Sequence, residues 1–229
     1  MIMPSAHVVG IYSGGVETFI APDRRSMTTG IRKRAFSQAD LGPDGFIGDA
    51  STEADHHTTA KTVHLFPSAH YEKIEARLGT KLPRPTFGEN LALTRMLEAD
   101  VYVGDRYRIG QSVIEITQPT ERCKAIGRSI GAPKILKVLH ELEVCGFYAR
   151  VITPGRVQVG DAVVLVARPQ SDWSIQRLHR VMFNELADER QFALVLALPD
   201  LSADWKTRAA VMRERLRRGE PISSNVVDL

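Results

Sequence analysis

One of the two cysteines in this chain lies in a strongly basic segment, ITQPTERCKAIG at residues 116–127. Cys123 sits between Arg122 and Lys124, and Arg128 follows about one helical turn later. Neighbouring cations favour the charged state of a thiol, and the thiolate is the form that attacks electrophiles and binds metals. The sequence therefore predicts a reactive thiol at Cys123. The alternative is a small buried hydrophobe, which is the usual fate of a free cysteine.

The second cysteine, Cys145, lies among apolar residues in EVCGFYARV and is predicted to be a packing residue at the edge of a strand. Two cysteines cannot form the multi-bridge framework of a small secreted domain, so we expect both thiols to be reduced. The chain has no run of 18 apolar residues, and MIMPSAHVVG does not resemble a secretory signal. We therefore expect a cytoplasmic protein that does not bind a membrane.

Histidines and acidic residues are concentrated in GDASTEADHHTTAKTVHLFP, residues 48–67. Imidazole and carboxylate groups bind metals, but the spacing matches no standard zinc signature, and adjacent histidines on a strand point in opposite directions. Three interpretations stay open: a weak metal site, a polar loop, and a site in which His56, His57 and Lys61 bind an anionic ligand.

Two further segments could bind a ligand. TFGENL offers Glu89 as an acid or salt-bridge partner and Asn90 as a group that can form hydrogen bonds on both sides of its amide. TTGIRKRAF supplies Arg32 and Lys33 after a glycine, which predicts either a phosphate-binding loop or an exposed basic edge. Neither segment is specific by itself.

The charge of the chain argues against nucleic acid as a partner. A formal net charge of +3 is small, and the basic cluster KTRAAVMRERLRRG lacks the interleaved aromatic residues that stack on bases. On a helix, such a cluster is usually a solvated face.

Short alternating runs of β-forming residues over residues 1–115 predict a sheet closed into a barrel or a sandwich. Helices are predicted at PSAHYEKIEARLG, with Ser68 as the cap and Gly79 at the end, and at PKILKVLHELEV. A shorter helix is predicted for residues 91–97.

After Pro169 the pattern becomes almost entirely helical, with three helices predicted and Ser202 as a cap. The predicted fold is α+β and mostly β, with a barrel domain at residues 1–169 and a three-helix domain at residues 170–229. We expect this tail to pack on the barrel or to form a homodimer through apolar residues, namely Leu178, Val181, Met182, Leu194, Leu196 and Leu198.

Taken in order, these motifs resemble the MOSC family, named for the C-terminal domain of molybdenum cofactor sulfurases, and in particular its bacterial YiiM-type branch. The resemblance covers about residues 25–166, and the tail is similar to the three-helix domain of that branch. Its most specific elements are FGENL, the Gln-Pro-x-x-x-Cys segment that ends at Cys123, and PGRVQVGD. The resemblance implies a MOSC-type β-barrel followed by a small three-helix domain.

The resemblance also implies a bound molybdenum cofactor, with Cys123 as the metal ligand or as a carrier of sulfur; pyridoxal phosphate is a further ligand that it admits. A soft thiolate suits a thiophilic metal. Because the cofactor ends in a phosphate, basic side chains are predicted to bind it by charge. The predicted cofactor-binding residues are Lys33, Arg32, His56, His57, Lys61, Asn90 and Arg128.

Members of this branch are associated with the reduction of N-hydroxylated bases such as 6-N-hydroxylaminopurine. We expect the electrons to come from a separate flavin or iron–sulfur reductase, because this chain carries no motif for either group. Glu89 or one histidine of the 56–57 pair would then supply protons. Two alternatives stay open: a non-catalytic carrier of the cofactor or of a persulfide on Cys123, and a zinc protein that uses Cys123 with His56 or His57.

The chain departs from the family pattern at two places. The family usually has His-Gly-Gly followed by a basic residue. Here Thr58 and Thr59 replace the two glycines, and the gap to the basic residue Lys61 is shorter. Either His56 or His57 can therefore match the family histidine. Around the cysteine, the branch often has Pro-Cys-Trp-Lys where this chain has Arg-Cys-Lys-Ala. The second departure bears on the purine-like substrate more than on cofactor binding.

Overall fold

The computed structural model describes residues 6–51, 59–183 and 186–220. The strands are β1 Ala6–Ser13, β2 Glu17–Ile20, β3 Ser26–Thr29, β4 Arg34–Phe36, β5 Gln38–Gly42, β6 Gly45–Phe46, β7 Val63–Pro67, β8 Leu91–Leu93, β9 Arg106–Ile109, β10 Ser112–Pro119, β11 Phe147–Thr153, β12 Gly155–Gln158 and β13 Ala162–Ala167. The helices are α1 His70–Leu78, α2 Lys124–Ile130, α3 Ile135–Glu141, α4 Ile175–Met182, α5 Glu189–Leu196 and α6 Ala203–Arg217.

Seven of these strands form a closed barrel in the order β1, β8, β7, β11, β10, β9, β13 and back to β1. The barrel closes where Ala6 and His7 of β1 pair with Val163 and Ala162 of β13. The β7–β8 pair is parallel, and the other barrel pairs are antiparallel. Closure pairs the two outer strands of the described barrel, β1 and β13, with each other. The predicted α+β fold with a β-barrel is confirmed.

Strand β10 shows how the sequence builds this barrel. Ile114 and Ile116 belong to the main hydrophobic core. Alternate residues of a strand face opposite sides, and the intervening Glu115 is also buried, where its carboxylate pairs with Arg106 and Arg150. Helix α4 contacts β10. The strand is therefore covered on both faces, which agrees with its almost continuous burial.

Residues 91–97 were predicted to form a short helix, but the first three of them form a strand of the barrel. Leu91–Leu93 form β8, which pairs with β1 on one side and with β7 on the other. All three residues are buried. A short apolar run has no periodicity that separates a buried strand from a buried helix, and the two neighbouring strands decide the outcome here.

Helix α1 confirms one predicted boundary and corrects the other. Gly79 ends the helix with a φ of 69°, the left-handed conformation that favours glycine. Ala69 occupies the cap position, without a side-chain hydrogen bond. Ser68 contributes only its carbonyl, which accepts the Tyr71 N–H at 3.2 Å, so the predicted side-chain cap at Ser68 is wrong.

The three predicted tail helices are present as α4, α5 and α6, and the Ser202 hydroxyl caps α6 by accepting the Trp205 N–H at 3.3 Å. Their apolar residues join the barrel residues in one continuous core. Among the residues predicted to pack, four are buried: Leu178, Val181, Met182 and Leu198. Leu196 is half-buried, and Leu194 is exposed at 41%, so Leu194 does not join the described core; the homodimer alternative stays a prediction. The domain boundary at residue 169 stays a prediction.

Across the ranges that the structure describes, no helix is both long and apolar enough to span a membrane.

Candidate functional site

A cavity of about 180 Å³ brings together segments that are far apart in the sequence. Its wall consists of residues from the ranges 27–33, 49–51, 61–64, 87–90 and 120–126, with Asp44 and Tyr148. Gly30 permits this assembly, because a Cβ at this position would lie 2.1 Å from the carbonyl oxygen of Ala50. The cavity therefore combines the four motifs that sequence analysis considered separately.

The predicted site residues divide into three groups. Four of them line the cavity: Lys33, Lys61, Asn90 and Cys123. Three other described residues are not part of its wall: Arg32, Glu89 and Arg128. His56 and His57 lie outside the described residues.

Cys123 occupies the junction between the barrel and helix α2. Strand β10 ends at Pro119, and Cys123 is the residue immediately before α2, with an extended backbone whose carbonyl accepts the Ile126 N–H at 3.2 Å. The residue is exposed. The alternative of a buried hydrophobe is therefore excluded for Cys123. The buried-hydrophobe interpretation applies instead to Cys145, which is buried just before β11. Burial raises the pKa of the Cys145 thiol.

We expect only one thiol of the native protein to react with iodoacetamide within minutes, because one cysteine is exposed and the other is 1% exposed. Mass spectrometry of the digested protein should locate the label on Cys123, and Cys145 should react only after unfolding. Cys145→Ala should keep the fast-reacting thiol, whereas Cys123→Ser should lose it. Equal labelling of both cysteines in the native protein would contradict this assignment.

Arg122 anchors the cysteine segment to the interior. Its guanidinium donates to the carbonyl of Cys145 and, at 3.5 Å, to the carbonyl of Phe87. The guanidinium carbon also lies 5.3 Å from the centre of the Phe66 ring and 5.2 Å from that of Phe87. Arg122 was predicted to act as a cation beside the thiol, but these contacts give it a structural role.

The other two predicted arginines bind acidic residues outside the cavity wall. Arg128 donates to Asp23 at 2.9 Å and to the Ser26 carbonyl at 3.0 Å. Arg32 pairs with Glu17 at 3.2 Å on the β2–β3 hairpin and lies over the Phe19 ring. Their predicted contact with a phosphate therefore has no support in the geometry, because both cations are engaged elsewhere.

Asp49 is the centre of a polar network in the cavity wall. Its Oδ2 atom accepts hydrogen bonds from Lys33 Nζ at 2.7 Å and from the Asn90 amide at 2.8 Å. The same amide donates to the Tyr12 carbonyl at 3.2 Å, and its oxygen accepts the His64 N–H at 3.0 Å. Asn90 thus uses both sides of its amide to organise the wall. Burial lowers the pKa of Lys33, and Asp49 opposes that effect.

Glu89 holds the loop before β8 rather than facing the cavity. Its side chain is fully buried, and its two carboxylate oxygens accept from the Tyr71 hydroxyl and, at 3.0 Å, from the Phe87 N–H. The Tyr71 oxygen in turn accepts the Thr86 N–H at 2.9 Å. Burial raises the pKa of Glu89. Glu89 does not line the cavity, and its role as a proton donor stays a prediction.

Helix α6 of the tail reaches two residues of the wall. Lys61 Nζ lies 3.1 Å from Asp204 Oδ2, and Arg208 pairs with Glu121. Sequence analysis did not identify these contacts, because nothing in a single sequence places a tail helix beside the barrel site. It also gave no role to Thr120 and Tyr148, both of which line the cavity.

We expect Asp204→Asn to strengthen the binding of inorganic phosphate by about fivefold, because the substitution removes a carboxylate that competes for Lys61 and is worth up to about 1 kcal/mol. Isothermal titration calorimetry measures the affinity. Glu214→Gln is the matched control, since Glu214 lies on the same helix and pairs with Arg218 instead. Equal affinities for the two variants would contradict a link between Asp204 and the site.

Within residues 6–51, 59–183 and 186–220, no group of three or more histidine, cysteine, aspartate or glutamate side chains is arranged to hold a metal ion. The zinc hypothesis needs His56 or His57, which lie outside these ranges. It stays a prediction.

Two family models match this chain. The MOSC domain matches residues 52–164, and the YiiM-like 3-alpha helix domain matches residues 173–219. The chain belongs to the MOSC family, in its YiiM-like branch.

Curated relatives include the uncharacterized protein YflK of Bacillus subtilis, which is 29% identical over 196 residues, covering 85% of this chain and 89% of YflK. A protein named Reductase from Gibberella moniliformis is 29% identical over 197 residues, covering 80% of this chain but 33% of that protein. Protein YiiM of Escherichia coli is 30% identical over 121 residues, covering 53% of this chain and 54% of YiiM. The chain thus spans a third of the Gibberella protein and about half of Escherichia coli YiiM.

Solved structures share the fold. The crystal structure of YiiM from Geobacillus stearothermophilus superposes with a TM-score of 0.74 at 25% identity, over 90% of this chain and 98% of that one. The crystal structure of YiiM from Escherichia coli gives a TM-score of 0.75 at 23% identity, over 96% of both chains. The barrel and the helical tail therefore occur together in these relatives.

Proposed function

We propose that this protein binds a molybdenum cofactor in the cavity beside Cys123 and reduces N-hydroxylated compounds with electrons from a separate reductase. The observation that carries the proposal is that Cys123, an exposed thiol, lines the same cavity as Lys33 and Lys61. Membership of the MOSC family and a relative named Reductase support the class of reaction.

The chemistry of the cavity wall fits such a group. A thiolate is a ligand for thiophilic metals, and ammonium groups bind phosphate. The cavity volume of about 180 Å³ is smaller than the roughly 300–1,000 Å³ of most ligand pockets, so the described walls surround only part of a ligand of that size. Cys123 would hold the metal, and Lys33 and Lys61 would hold the phosphate. Asn90 would help to position Lys33 through Asp49, which accepts hydrogen bonds from both side chains.

When bound, the molybdenum centre supplies two-electron chemistry that converts an N–OH group, with two protons, to N–H and water. The chain must then provide a proton donor close to the substrate. We assign this role to His64, which is the imidazole among the described residues of the wall. Its backbone is fixed on both sides by Asn90, through bonds of 3.0 and 2.8 Å, and its ring centre lies 5.2 Å from that of Tyr148.

The proposal is tested by the consumption of 6-N-hydroxylaminopurine, or of hydroxylamine, by protein purified from a host that makes the cofactor. Reduced methyl viologen supplies electrons, so that the natural reductase is not needed. We expect turnover by the wild type and by Cys145→Ala. Molybdenum-loaded protein that consumes neither substrate would overturn the proposed reductase activity.

The exposure of Cys123 also supports a second candidate, a carrier of the cofactor or of sulfur as a persulfide. A persulfide carrier releases thiocyanate on treatment with cyanide and does not reduce the substrates. The two candidates are therefore separated by measuring cyanide-labile sulfur and turnover on the same preparation.

A further inference from the structure

Thr120 carries a buried hydroxyl that no group of the described chain satisfies. The residue is 3% exposed, and its Oγ1 atom has no hydrogen-bond partner among the described residues. Its backbone N–H is satisfied, because it donates to the Gly146 carbonyl at 3.1 Å. Thr120 lines the cavity and precedes Cys123 by three residues.

Comparable hydroxyls nearby are satisfied. Thr117, on strand β10, shares its one hydroxyl proton between the carbonyls of Ala60, at 2.5 Å, and Tyr148, at 3.1 Å. Thr62, also in the cavity wall, donates to the Ala149 carbonyl at 3.0 Å. Buried polar groups in native proteins are nearly always paired, so each exception needs an explanation. A ligand in the cavity would supply the partner that Thr120 lacks.

The charges of the wall indicate which ligand atoms Thr120 would meet. Lys33 and Lys61 line the same cavity, as do one arginine and three acidic residues, namely Arg122, Asp44, Asp49 and Glu121. Both lysine side chains are largely buried, at 7% and 10% exposure; Lys33 pairs with Asp49, and Lys61 pairs with Asp204. Buried cations favour an anionic ligand, and a hydroxyl donates readily to an anionic oxygen.

We propose that the Thr120 hydroxyl binds an oxyanion in this cavity, together with Lys33 and Lys61. The binding site rests on the unsatisfied Thr120 hydroxyl and on the cavity wall that the three residues share, and its identification with the phosphate of a molybdenum cofactor rests on the proposed function. Free phosphate and molybdate share the same chemistry and serve as separate probes.

Replacement of threonine by valine separates ligand binding from stability, because the two side chains have nearly the same shape. Thr120→Val removes a hydroxyl that has no partner, so the melting temperature should stay unchanged or rise. Thr117→Val removes a hydroxyl whose proton is shared between two carbonyls and should lower the melting temperature by about 2–4 °C. Binding of the oxyanion should weaken about tenfold in Thr120→Val, because a hydrogen bond to a charged group is lost.

The experiment measures the binding of inorganic phosphate and of molybdate to the full chain by calorimetry, with melting temperatures for each variant. We expect Thr120→Ser, which keeps the hydroxyl, to bind like the wild type. Three results would overturn the inference: no binding of either anion by the wild type, equal binding by Thr120→Val, or a loss of stability in Thr120→Val as large as that in Thr117→Val.

Pterin content distinguishes this inference from the proposed function. Binding of an anion that depends on Thr120, in a protein that retains no pterin from a competent host, supports the oxyanion site and contradicts the cofactor. If Thr120→Val retains as much pterin as the wild type and binds the anions equally well, the result supports the cofactor and contradicts the oxyanion site at Thr120.

Discussion

Cys123→Ser should lower the turnover of N-hydroxylated substrates by more than about 100-fold. Loss of a group that merely orients a metal ligand already costs roughly 10- to 100-fold, and Cys123 is the proposed ligand itself. Stability should be unchanged, because Cys123 is exposed and precedes helix α2 at a position where serine is a favourable cap. Steady-state kinetics and thermal melting on the same samples measure both quantities.

The matched control for this prediction is Cys145→Ala. Cys145 is buried in the main core, so its truncation should lower the free energy of unfolding by about 1 kcal/mol and leave turnover per folded molecule unchanged. The account fails if Cys123→Ser keeps a tenth or more of the wild-type turnover, or if both cysteine variants lose turnover to the same degree.

Arg122→Ala should lower the free energy of unfolding by about 2–4 kcal/mol and also reduce turnover. The substitution leaves the Cys145 carbonyl without its donor, and it removes the cation beside the Phe66 and Phe87 rings. The packing at this point is close, since a Cβ at Gly146 would lie 3.0 Å from the guanidinium. Denaturant unfolding gives the change in stability.

Arg128→Ala is the control for Arg122, because it removes the same charge from the same stretch of chain. Its guanidinium forms a partly exposed pair with Asp23, so the loss should stay within about 1 kcal/mol. Similar losses in the two variants would mean that Arg122 does not anchor the cysteine segment.

The general architecture could be predicted from the sequence because it depends on local patterns. Alternating apolar residues predicted the strands, and helical periodicity with Gly79 and Ser202 predicted helix boundaries. Residues 91–97 were predicted wrongly because an apolar run is compatible with either a strand or a helix until its neighbours are known. The exposure of Leu194 could not be predicted for a related reason, since the face of α5 that joins the core depends on tertiary packing.

The site could be predicted only in part, because contacts in space do not follow proximity in sequence. Cys123 was found from its chemistry and its position after a strand. The arginines beside it were expected to surround the thiol, yet Arg122 and Arg128 bind other partners. The cations that line the cavity, Lys33 and Lys61, come from distant segments. Glu89 was predicted to be an acid in a turn, but its carboxylate accepts a hydrogen bond from Tyr71 of α1, a contact that no local pattern indicates.

The central claim is that Cys123 holds a molybdenum cofactor, and the most direct test is the molybdenum and pterin content of the wild type and of Cys123→Ser. Both proteins are purified from a host that makes the cofactor. We predict molybdenum and pterin in the wild type, and loss of molybdenum in Cys123→Ser. Absence of both from correctly folded wild-type protein, or equal molybdenum in the two proteins, would contradict the claim.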